Sequence, residues 1–381
     1  MSSVTSDNSH VNSGLEGVVA AATKTSLVDG KNGRLVYRGY DIDDLADHST
    51  YEEVAYLVWY GKLPTAKQLA ELEHSLAIQR EVPKEIERLI GEAPDTAHPM
   101  DVLRTAVSAL GMYDPDARDN SLEANLRKAI RLTAQVPTVV AFFERLRSGK
   151  QVVHPKQSGN LAQNFLYMLF GTEPDPEVAR IFDVCLILHT EHGLNASTFS
   201  ARVTASTLSD MHSAITSAIG TLKGPLHGGA NEQVMDTLLE IGEADRAQDV
   251  INQKLKNRER VMGFGHRVYK TEDPRATILR RHSEALGRQT DQLKWYEISR
   301  EVEKTMREDK PDLYPNVDFY SASVYYMMGI PIDQFTPIFA ISRMAGWTAQ
   351  LLEQYANNRL IRPESEYVGP PSLKYVPIDK R

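Results

Sequence analysis

Apolar residues recur every three or four positions along most of this chain, which is the spacing of one face of an α-helix. After Thr50, apolar side chains fall at Val54 and Leu57, and Glu53 stands three residues beyond that threonine. A threonine followed three positions later by glutamate forms a capping box, in which each side chain satisfies a backbone N–H group at a helix start. A helix is therefore predicted to begin next to Thr50, and a similar pattern after Thr65 predicts another.

Residues 25–40 depart most clearly from this helical periodicity. Two short stretches, residues 25–28 and 34–37, flank a turn-forming sequence that contains Gly30 and Gly33. Such a pair of segments predicts a β-hairpin. No series of buried parallel strands and no glycine-rich dinucleotide loop follows, so a Rossmann fold is not expected. The predicted fold class is all-α with a short N-terminal β-hairpin.

The composition changes partway along the chain. Residues 224–331 are more charged and more often interrupted by glycine than the sequence around them. This change predicts a smaller helical domain at residues 224–331 and a large multi-helical domain formed by residues 1–223 and 332–381. A run of small residues at 195–222 predicts a close helix contact, either within the chain or across a subunit interface.

The charge balance limits the classes of partner. Lys and Arg number 43 against 51 Asp and Glu, which gives a net charge of -8. An acidic protein has little general affinity for nucleic acid or anionic membranes, so an anionic substrate needs a local cluster of cations. The longest apolar stretch, residues 319–332, is too short to span a bilayer.

Two features predict a cytoplasmic location. Cys185 is the only cysteine, so an intrachain disulfide is excluded, as expected in a reducing compartment. Residues 1–13 are polar and lack the apolar core of a signal peptide.

Two histidines lie beside glycines. His227 precedes Gly228 and an expected helix, whose N-terminal N–H groups favour a neutral imidazole that can donate a hydrogen bond to a developing enolate oxygen. His266 follows Gly263-Phe264-Gly265, a loop whose amides are free to bind a ligand. The structural alternative for His227 is a side chain packed against a tight turn.

His189 and His192 lie three positions apart, which invites comparison with zinc sites. Their spacing matches neither the H-E-x-x-H pattern nor its inverse, and no cysteine ligand accompanies them, so no metal is expected. His189 is predicted to be a core residue. His192 precedes Gly193 at an expected helix end and is better placed to point into a cleft.

One aspartate and three arginines are further candidates. Asp318 opens an expected helix beside aromatic residues, where it is either a helix cap or a partly buried base. Arg275, Arg343 and Arg362 stand in apolar or unusual settings. An arginine in such a setting needs an anionic partner, which is either an internal carboxylate or a dicarboxylate substrate.

These residues together resemble the citrate synthase family, from the hairpin to Pro363. The motifs that carry the resemblance are Gly224-Pro225-Leu226-His227-Gly228-Gly229-Ala230-Asn231, Gly263-Phe264-Gly265-His266-Arg267-Val268-Tyr269, Asp273-Pro274-Arg275, Pro315-Asn316-Val317-Asp318-Phe319-Tyr320-Ser321, Ile341-Ser342-Arg343 and Asn357-Asn358-Arg359-Leu360-Ile361-Arg362-Pro363. The resemblance implies a nearly all-α fold with a large and a small domain, a homodimer, and condensation of acetyl-CoA with oxaloacetate.

The resemblance also implies a role for each catalytic candidate. Asp318 would remove a proton from the acetyl methyl group, and His227 would hydrogen-bond the thioester oxygen. His266 would polarise the oxaloacetate ketone. The residues implied to bind oxaloacetate are His192, Arg275, Arg343 and Arg362, the last reaching into the partner's site.

The same resemblance places the coenzyme and the acyl group. Phe339 would pack near the acetyl group. The adenine of CoA would lie against the loop Val261, Met262, Gly263, Phe264 and Gly265, with Lys256, Lys270 and Lys310 near the phosphates. Six basic side chains surround this loop, although a solvated charged face is the alternative interpretation of such a cluster. No metal and no cofactor is implied, because the CoA thioester is a substrate.

Two rival functions stay open on the sequence alone. A 2-methylcitrate synthase uses propionyl-CoA, and the extra methylene is worth only about 1 to 3 kcal/mol in an acyl pocket. A helical binding protein without enzymatic activity is the more remote alternative, and the intact set of Asp318, His227 and His266 argues against it.

Overall fold

The computed structural model describes residues 12–381. Helices account for 61% of it and strands for 3%, which confirms the predicted all-α class. Most of the polar N-terminal segment on which the signal-peptide expectation rests lies outside these residues. Among the helices of residues 12–381, none combines the length and the apolar character needed to cross a membrane.

The predicted hairpin is present and gains a third strand. β1 (Ser26–Asp29) pairs antiparallel with β2 (Arg34–Tyr37), so that Leu27 lies opposite Val36. β2 then pairs with β3 (Tyr40–Asp41). Three consecutive residues of β2 are buried, whereas β1 is only partly covered, so β2 is the strand that faces the helical core.

Sixteen α-helices follow within the described residues. They are α1 (Ile42–His48), α2 (Tyr51–Tyr60), α3 (Ala66–Ala77), α4 (Lys84–Gly91), α5 (Pro99–Tyr113), α6 (Leu122–Arg147), α7 (Leu161–Phe170), α8 (Pro176–His189), α9 (Ala196–Ser206), α10 (Met211–Leu222), α11 (Ala230–Ile241), α12 (Ala247–Lys256), α13 (Pro274–Gln289), α14 (Lys294–Asp309), α15 (Val317–Met327) and α16 (Phe335–Ala356). Short 3-10 turns occur at Ser13–Leu15, Ala244–Arg246, Ile332–Gln334 and Ile378–Lys380.

Local sequence signals set several of these helix starts. The hydroxyl of Thr50 accepts a hydrogen bond from the N–H of Glu53, while the Glu53 carboxylate accepts one from the N–H of Thr50. Thr65 and Gln68 form the same reciprocal pair at the start of α3. Both predicted capping boxes are confirmed, and each satisfies two N–H groups that the helix leaves without a partner.

Helix α16 lies at the centre of the molecule. Nearly all of its side chains are buried, and it packs against α2, α6, α8, α9 and α10. A helix that is buried on nearly every side is enclosed by other elements. This central position brings residues of α16 next to the ends of the surrounding helices.

The small-residue run forms the contact between α9 and α10. The hydroxyls of Ser200 and Ser217 hydrogen-bond across it, which requires a close approach of the two helices. The run therefore mediates packing within the chain, and its use in a subunit interface stays a prediction. The proposed domain division at residues 224–331 also stays a prediction.

Candidate active site

Asp318 lies in the first turn of α15 but does not cap it. The cap is Asn316, whose side-chain oxygen accepts from the N–H of Asp318 at 3.0 Å. The Asp318 side chain is thereby released from capping, and its Oδ1 has no hydrogen-bond partner within the described residues. Burial raises the pKa of this carboxyl to about 7. A buried carboxyl with such a pKa is suited to act as a base near neutral pH.

His227 lies just before α11, and Ser197 at the start of α9 holds its ring. The Nε2 atom of His227 is 2.8 Å from the Ser197 hydroxyl and accepts from the Ser197 N–H at 3.3 Å. A backbone N–H can only donate, so this contact places the imidazole proton on Nδ1. The indole N–H of Trp347 donates to the same hydroxyl at 3.2 Å. Burial lowers the pKa of His227 to about 4, which keeps it a neutral donor.

His266 is held by the backbone that follows it. Its Nδ1 accepts from the N–H groups of Val268 at 3.0 Å and Tyr269 at 3.1 Å. The ring proton is therefore on Nε2. Burial, followed by the positive charge of Arg275, lowers the pKa of His266 to about 4. His266 is thus a second neutral imidazole with one N–H free to donate.

His192 lies against His266, and its position in a cleft stays a prediction. The two rings meet edge to face at 5.0 Å between centroids, and the His192 Nε2 is 3.2 Å from the Tyr269 hydroxyl. Burial, followed by the charge of Arg275, lowers the pKa of His192 well below its usual value.

His189 is a core residue, as predicted. It is fully buried, with Nδ1 2.8 Å from the carbonyl of Cys185. Within residues 12–381, no group of three or more His, Cys, Asp or Glu side chains is arranged to hold a metal ion.

Arg275 and Arg343 are both buried but differ in their partners. Arg275 makes a two-pronged ion pair with Asp273, at 3.0 Å and 2.7 Å. Arg343 donates from Nε to the His189 carbonyl at 2.7 Å and lies over the Phe339 ring at 4.8 Å, but its Nη1 has no partner among the described residues. Because Arg343 is buried and no carboxylate of residues 12–381 forms an ion pair with it, its pKa falls to about 10. An anionic ligand would compensate this cation.

The charges of these groups act on one another. Arg275 and Arg343 both oppose the burial effect on the pKa of Asp318, and Arg343 also lowers the pKa of His227. Phe339 packs beside this group, with its ring 6.5 Å from that of His227. The candidate acid–base groups, Arg275 and Arg343 therefore lie close enough together for their charges to affect one another.

The glycine loop before His266 is bound to the segment before Asp318. Gly263 and Gly265 have φ of +82° and +80°, the left-handed region that favours glycine. The carbonyl of Gly263 accepts from the N–H of Asn316 at 2.9 Å, and the N–H of Gly265 donates to the Tyr314 carbonyl at 2.8 Å. The glycine loop is thus held by two backbone hydrogen bonds to the segment that leads into α15.

The apolar side chains of the glycine loop are buried or half-buried. Val261 is buried, whereas Met262 and Phe264 are half-buried. Phe264 meets Phe319 edge to face at 4.7 Å, next to Asp318. The loop predicted to bind adenine therefore packs against Phe319, the residue that follows the candidate base Asp318.

The three lysines predicted near phosphates are all exposed. Lys256, Lys270 and Lys310 form no ion pair within residues 12–381. Lys254, by contrast, pairs with Glu240 at 2.7 Å. Lys270 lines a cavity of about 340 Å³ together with His266 and other residues of the two adjoining loops. Among the described residues, Lys270 is therefore an exposed cation without an ion pair at the cavity that His266 lines.

Within one chain, Arg362 is not among the charged groups that affect Asp318, His227 or His266. It lies in the extended segment after α16, is exposed, and makes no hydrogen bond or ion pair within the part of the chain that the structure describes. Its predicted role depends on a second subunit.

Sequence reasoning missed three supporting residues. Ser197 was counted only among the small residues that allow helices to approach, and Trp347 and Tyr269 were given no specific contact. Ser197 and Trp347 support His227, and Tyr269 joins His192 and His266. No local signal identifies the first two, since the contact of Ser197 with His227 and that of Trp347 with Ser197 both join distant parts of the chain.

A scan against protein-family models matches residues 14–364 to the family described as "Citrate synthase, C-terminal domain". The chain belongs to the citrate synthase family. Among the curated citrate synthases it resembles "Citrate synthase 2" of Bacillus subtilis (strain 168), with 53% identity over 97% of this chain and 98% of that protein. It also resembles "2-methylcitrate synthase 1" of Corynebacterium glutamicum, with 44% identity over 98% of this chain and 99% of that protein.

The solved citrate synthase structures agree. The structure from Thermoplasma acidophilum superposes with a TM-score of 0.93 at 34% identity, covering 97% of this chain and 99% of that one. That structure is described as a ternary complex with carboxymethyl coenzyme A and oxaloacetate. Fold and family are therefore established over nearly the whole chain.

Proposed function

We propose that this protein condenses acetyl-CoA with oxaloacetate and water to give citrate and CoA. The observation that carries the proposal is the combination of a buried carboxyl, Asp318, with two neutral imidazoles, His227 and His266, beside buried arginines. Membership of the citrate synthase family supports the same reaction. The protein is accordingly an acyltransferase that acts on a CoA thioester.

Enolisation is the first step of the proposed reaction. Asp318 takes a proton from the acetyl methyl group, and the Nδ1–H of His227 donates to the thioester oxygen on which negative charge develops. A thioester methyl is a weak acid, so the base alone is insufficient. One donor aimed at a developing oxyanion typically contributes about 3 to 4 kcal/mol.

Carbon–carbon bond formation follows. The enolate carbon attacks the ketone carbon of oxaloacetate, and the Nε2–H of His266 hydrogen-bonds the ketone oxygen as it becomes an alkoxide. The alkoxide then takes up one proton to become the alcohol, which balances the proton that Asp318 removed. Arg275 and Arg343 grip the carboxylates of oxaloacetate, and His192 helps to hold this substrate. The Nη1 of Arg343, which has no partner among the described residues, supports this assignment, because a substrate carboxylate would supply a counter-charge to the buried guanidinium. Water then cleaves the citryl thioester and releases CoA.

Coenzyme binding is assigned to the glycine loop and the exposed lysines. The loop Val261 to Gly265 would contact the adenine, while Lys256, Lys270 and Lys310 would lie near the phosphates. Phe339 would pack against the acyl group. Because no resident cofactor has a part in these steps, the proposed reaction requires only the two substrates and water.

A homodimer completes the proposed site. Residues 357–381 extend beyond α16 and expose apolar side chains such as Tyr367, Leu373 and Tyr375, each at least 75% accessible. Contiguous exposed apolar residues indicate an interaction surface. In the proposed dimer this arm lies on the partner, and Arg362 reaches the partner's oxaloacetate. We also assign the protein to the cytoplasm.

Thiol release tests the function. The protein is incubated with oxaloacetate and either acetyl-CoA or propionyl-CoA, and free CoA thiol is followed. Rapid release with acetyl-CoA is expected, and release with neither donor would refute the enzymatic proposal. A large preference for propionyl-CoA would favour 2-methylcitrate synthase, for which the Corynebacterium relatives are the supporting observation.

Subunit mixing tests the shared site. Asp318→Ala and Arg362→Ala subunits are each expected to be inactive or impaired, whereas their heterodimers contain one complete site. Partial rescue on mixing is expected. Inactive mixtures, with heterodimers demonstrated by mass spectrometry, would contradict the shared site.

A further inference from the structure

The turn between β1 and β2 rests directly on the loop that follows His266. The carbonyl of Gly30 accepts from the N–H of Lys270 at 2.8 Å. A Cβ atom placed on Gly30 would lie 2.0 Å from the carbonyl oxygen of Val268 and 2.6 Å from its carbonyl carbon. The backbone fixes the position of both the Cβ atom and the Val268 carbonyl, so no side-chain rotation relieves the clash. The φ of Gly30 lies outside the left-handed region, so space alone requires glycine here.

The same turn makes a second close contact along this loop. A Cβ atom on Gly33 would lie 2.8 Å from the carbonyl oxygen of Glu272 and 2.8 Å from the Thr271 side chain. The turn, residues 29–33, therefore supports residues 268–272 from behind at two points.

The other end of the hairpin is anchored to α16 and to the His192 segment. The carboxylate of Glu353 accepts from the hydroxyls of Thr23 at 2.8 Å and Thr25 at 3.0 Å. The hydroxyl of Ser26 accepts from the N–H of Gly193 at 3.1 Å. These contacts are part of a polar network that fixes the start of β1, so the turn is held at the end of a supported strand pair.

The supported loop is the one that orients His266. The N–H groups of Val268 and Tyr269 bind Nδ1 of His266, which leaves the proton on Nε2. Any displacement of residue 268 moves one of these two donors directly.

We propose that the β1–β2 turn is a positioning element for His266, acting through the backbone of residues 268–270. Gly30 lets the turn reach this backbone, and the contact holds the two N–H donors against the His266 ring. The inference rests on the proposed function for the role of His266 in catalysis. It adds the N-terminal hairpin to the structures that determine the catalytic tautomer.

Gly30→Ala tests this proposal, with Lys31→Ala as the matched control. Lys31 lies in the same turn, and its exposed side chain has no hydrogen bond or ion pair within the described residues. Gly30→Ala is expected to lower kcat about 10- to 100-fold, since displacement of a catalytic group by about 1 Å has effects of this size. Lys31→Ala is expected to retain kcat within twofold.

The direct readout is the tautomer of His266. Histidine labelled with ¹⁵N distinguishes the two ring nitrogens by NMR, and the His266 signals are assigned by their loss in His266→Gln. In the parent protein and in Lys31→Ala, Nε2 is expected to carry the proton. In Gly30→Ala, the Nδ1–H form is expected to appear. An unchanged tautomer with kcat equal to that of Lys31→Ala would overturn the proposal.

A second variant decides the matter if Gly30→Ala does not fold, as judged by its thermal transition. Ser26→Ala removes the contact with Gly193, which is one of the anchors at the other end of β1, and a smaller change of tautomer in the same direction is expected. An unchanged His266 tautomer in that variant would overturn the proposal. The NMR readout needs no turnover, so absence of thiol release by the parent protein would count against the proposed function alone.

Discussion

Replacing Asp318 with asparagine should stabilise the protein increasingly as the pH rises, while it removes activity. Burial raises the pKa of Asp318 from 3.8 to about 7. Between these values the folded state holds a proton on Asp318 that the unfolded state has released. Stability therefore falls as the pH increases through this window, and the loss is complete above about pH 7.

The size of this effect follows from the two pKa values. The gap between 3.8 and about 7, at about 1.4 kcal/mol for each pKa unit, amounts to about 4 kcal/mol. An asparagine has no charge to desolvate and is free of this cost. We expect the difference in unfolding free energy between Asp318→Asn and the parent protein to increase by up to about 4 kcal/mol between pH 4 and pH 8.

Denaturant unfolding at a series of pH values measures this difference. Other titrating groups are common to both proteins, so their contributions cancel in the comparison. Asp309→Asn is the control, because Asp309 ends α14 as an exposed carboxylate. Its stability curve should run parallel to that of the parent protein. A parallel curve for Asp318→Asn as well would refute the argument that burial disfavours the charged base.

Four further results are expected. The kcat/KM of the parent protein for acetyl-CoA should rise with pH through about 7, because the base acts when ionised; a flat profile between pH 5.5 and 8.5 would contradict this. Asp318→Ala should abolish thiol release yet retain oxaloacetate binding by calorimetry, and normal turnover would remove Asp318 from its role. Arg343→Lys should raise the KM for oxaloacetate about tenfold or more, since an ammonium lacks the planar fork; an unchanged KM would exclude Arg343 from binding. In Gly263→Ala, the added Cβ atom would lie 2.9 Å from Phe319. This variant should have a higher KM for acetyl-CoA and should be destabilised by about 1 to 3 kcal/mol in chemical unfolding. A variant that matches the parent in both measurements would contradict the tight packing of the loop.

Features set by neighbouring residues were predictable from the sequence. The capping boxes at Thr50 and Thr65 and the hairpin depend on side chains within a few positions of one another. The core position of His189 followed from its apolar surroundings. These elements form in the predicted places because local hydrogen bonding and periodicity determine them.

Features that depend on contacts between distant parts of the chain were not predictable in the same way. Sequence left Asp318 as either a cap or a base, and only the placement of Asn316 releases its carboxyl. Ser197 supports His227 from 30 residues away, and Gly30 contacts Val268 across more than half of the chain. One sequence contains no distance between such residues, so a glycine in a turn looks the same whether or not another backbone lies against it.

The anchor of the hairpin has a consequence for biosynthesis. Glu353 is made 330 residues after its partner Thr23. At translation speeds of about 5 to 20 residues per second, the N-terminal strand waits roughly 20 to 60 s for α16. The nascent chain therefore carries its hairpin without this anchor during that interval, until α16 emerges and Glu353 can accept the hydrogen bonds.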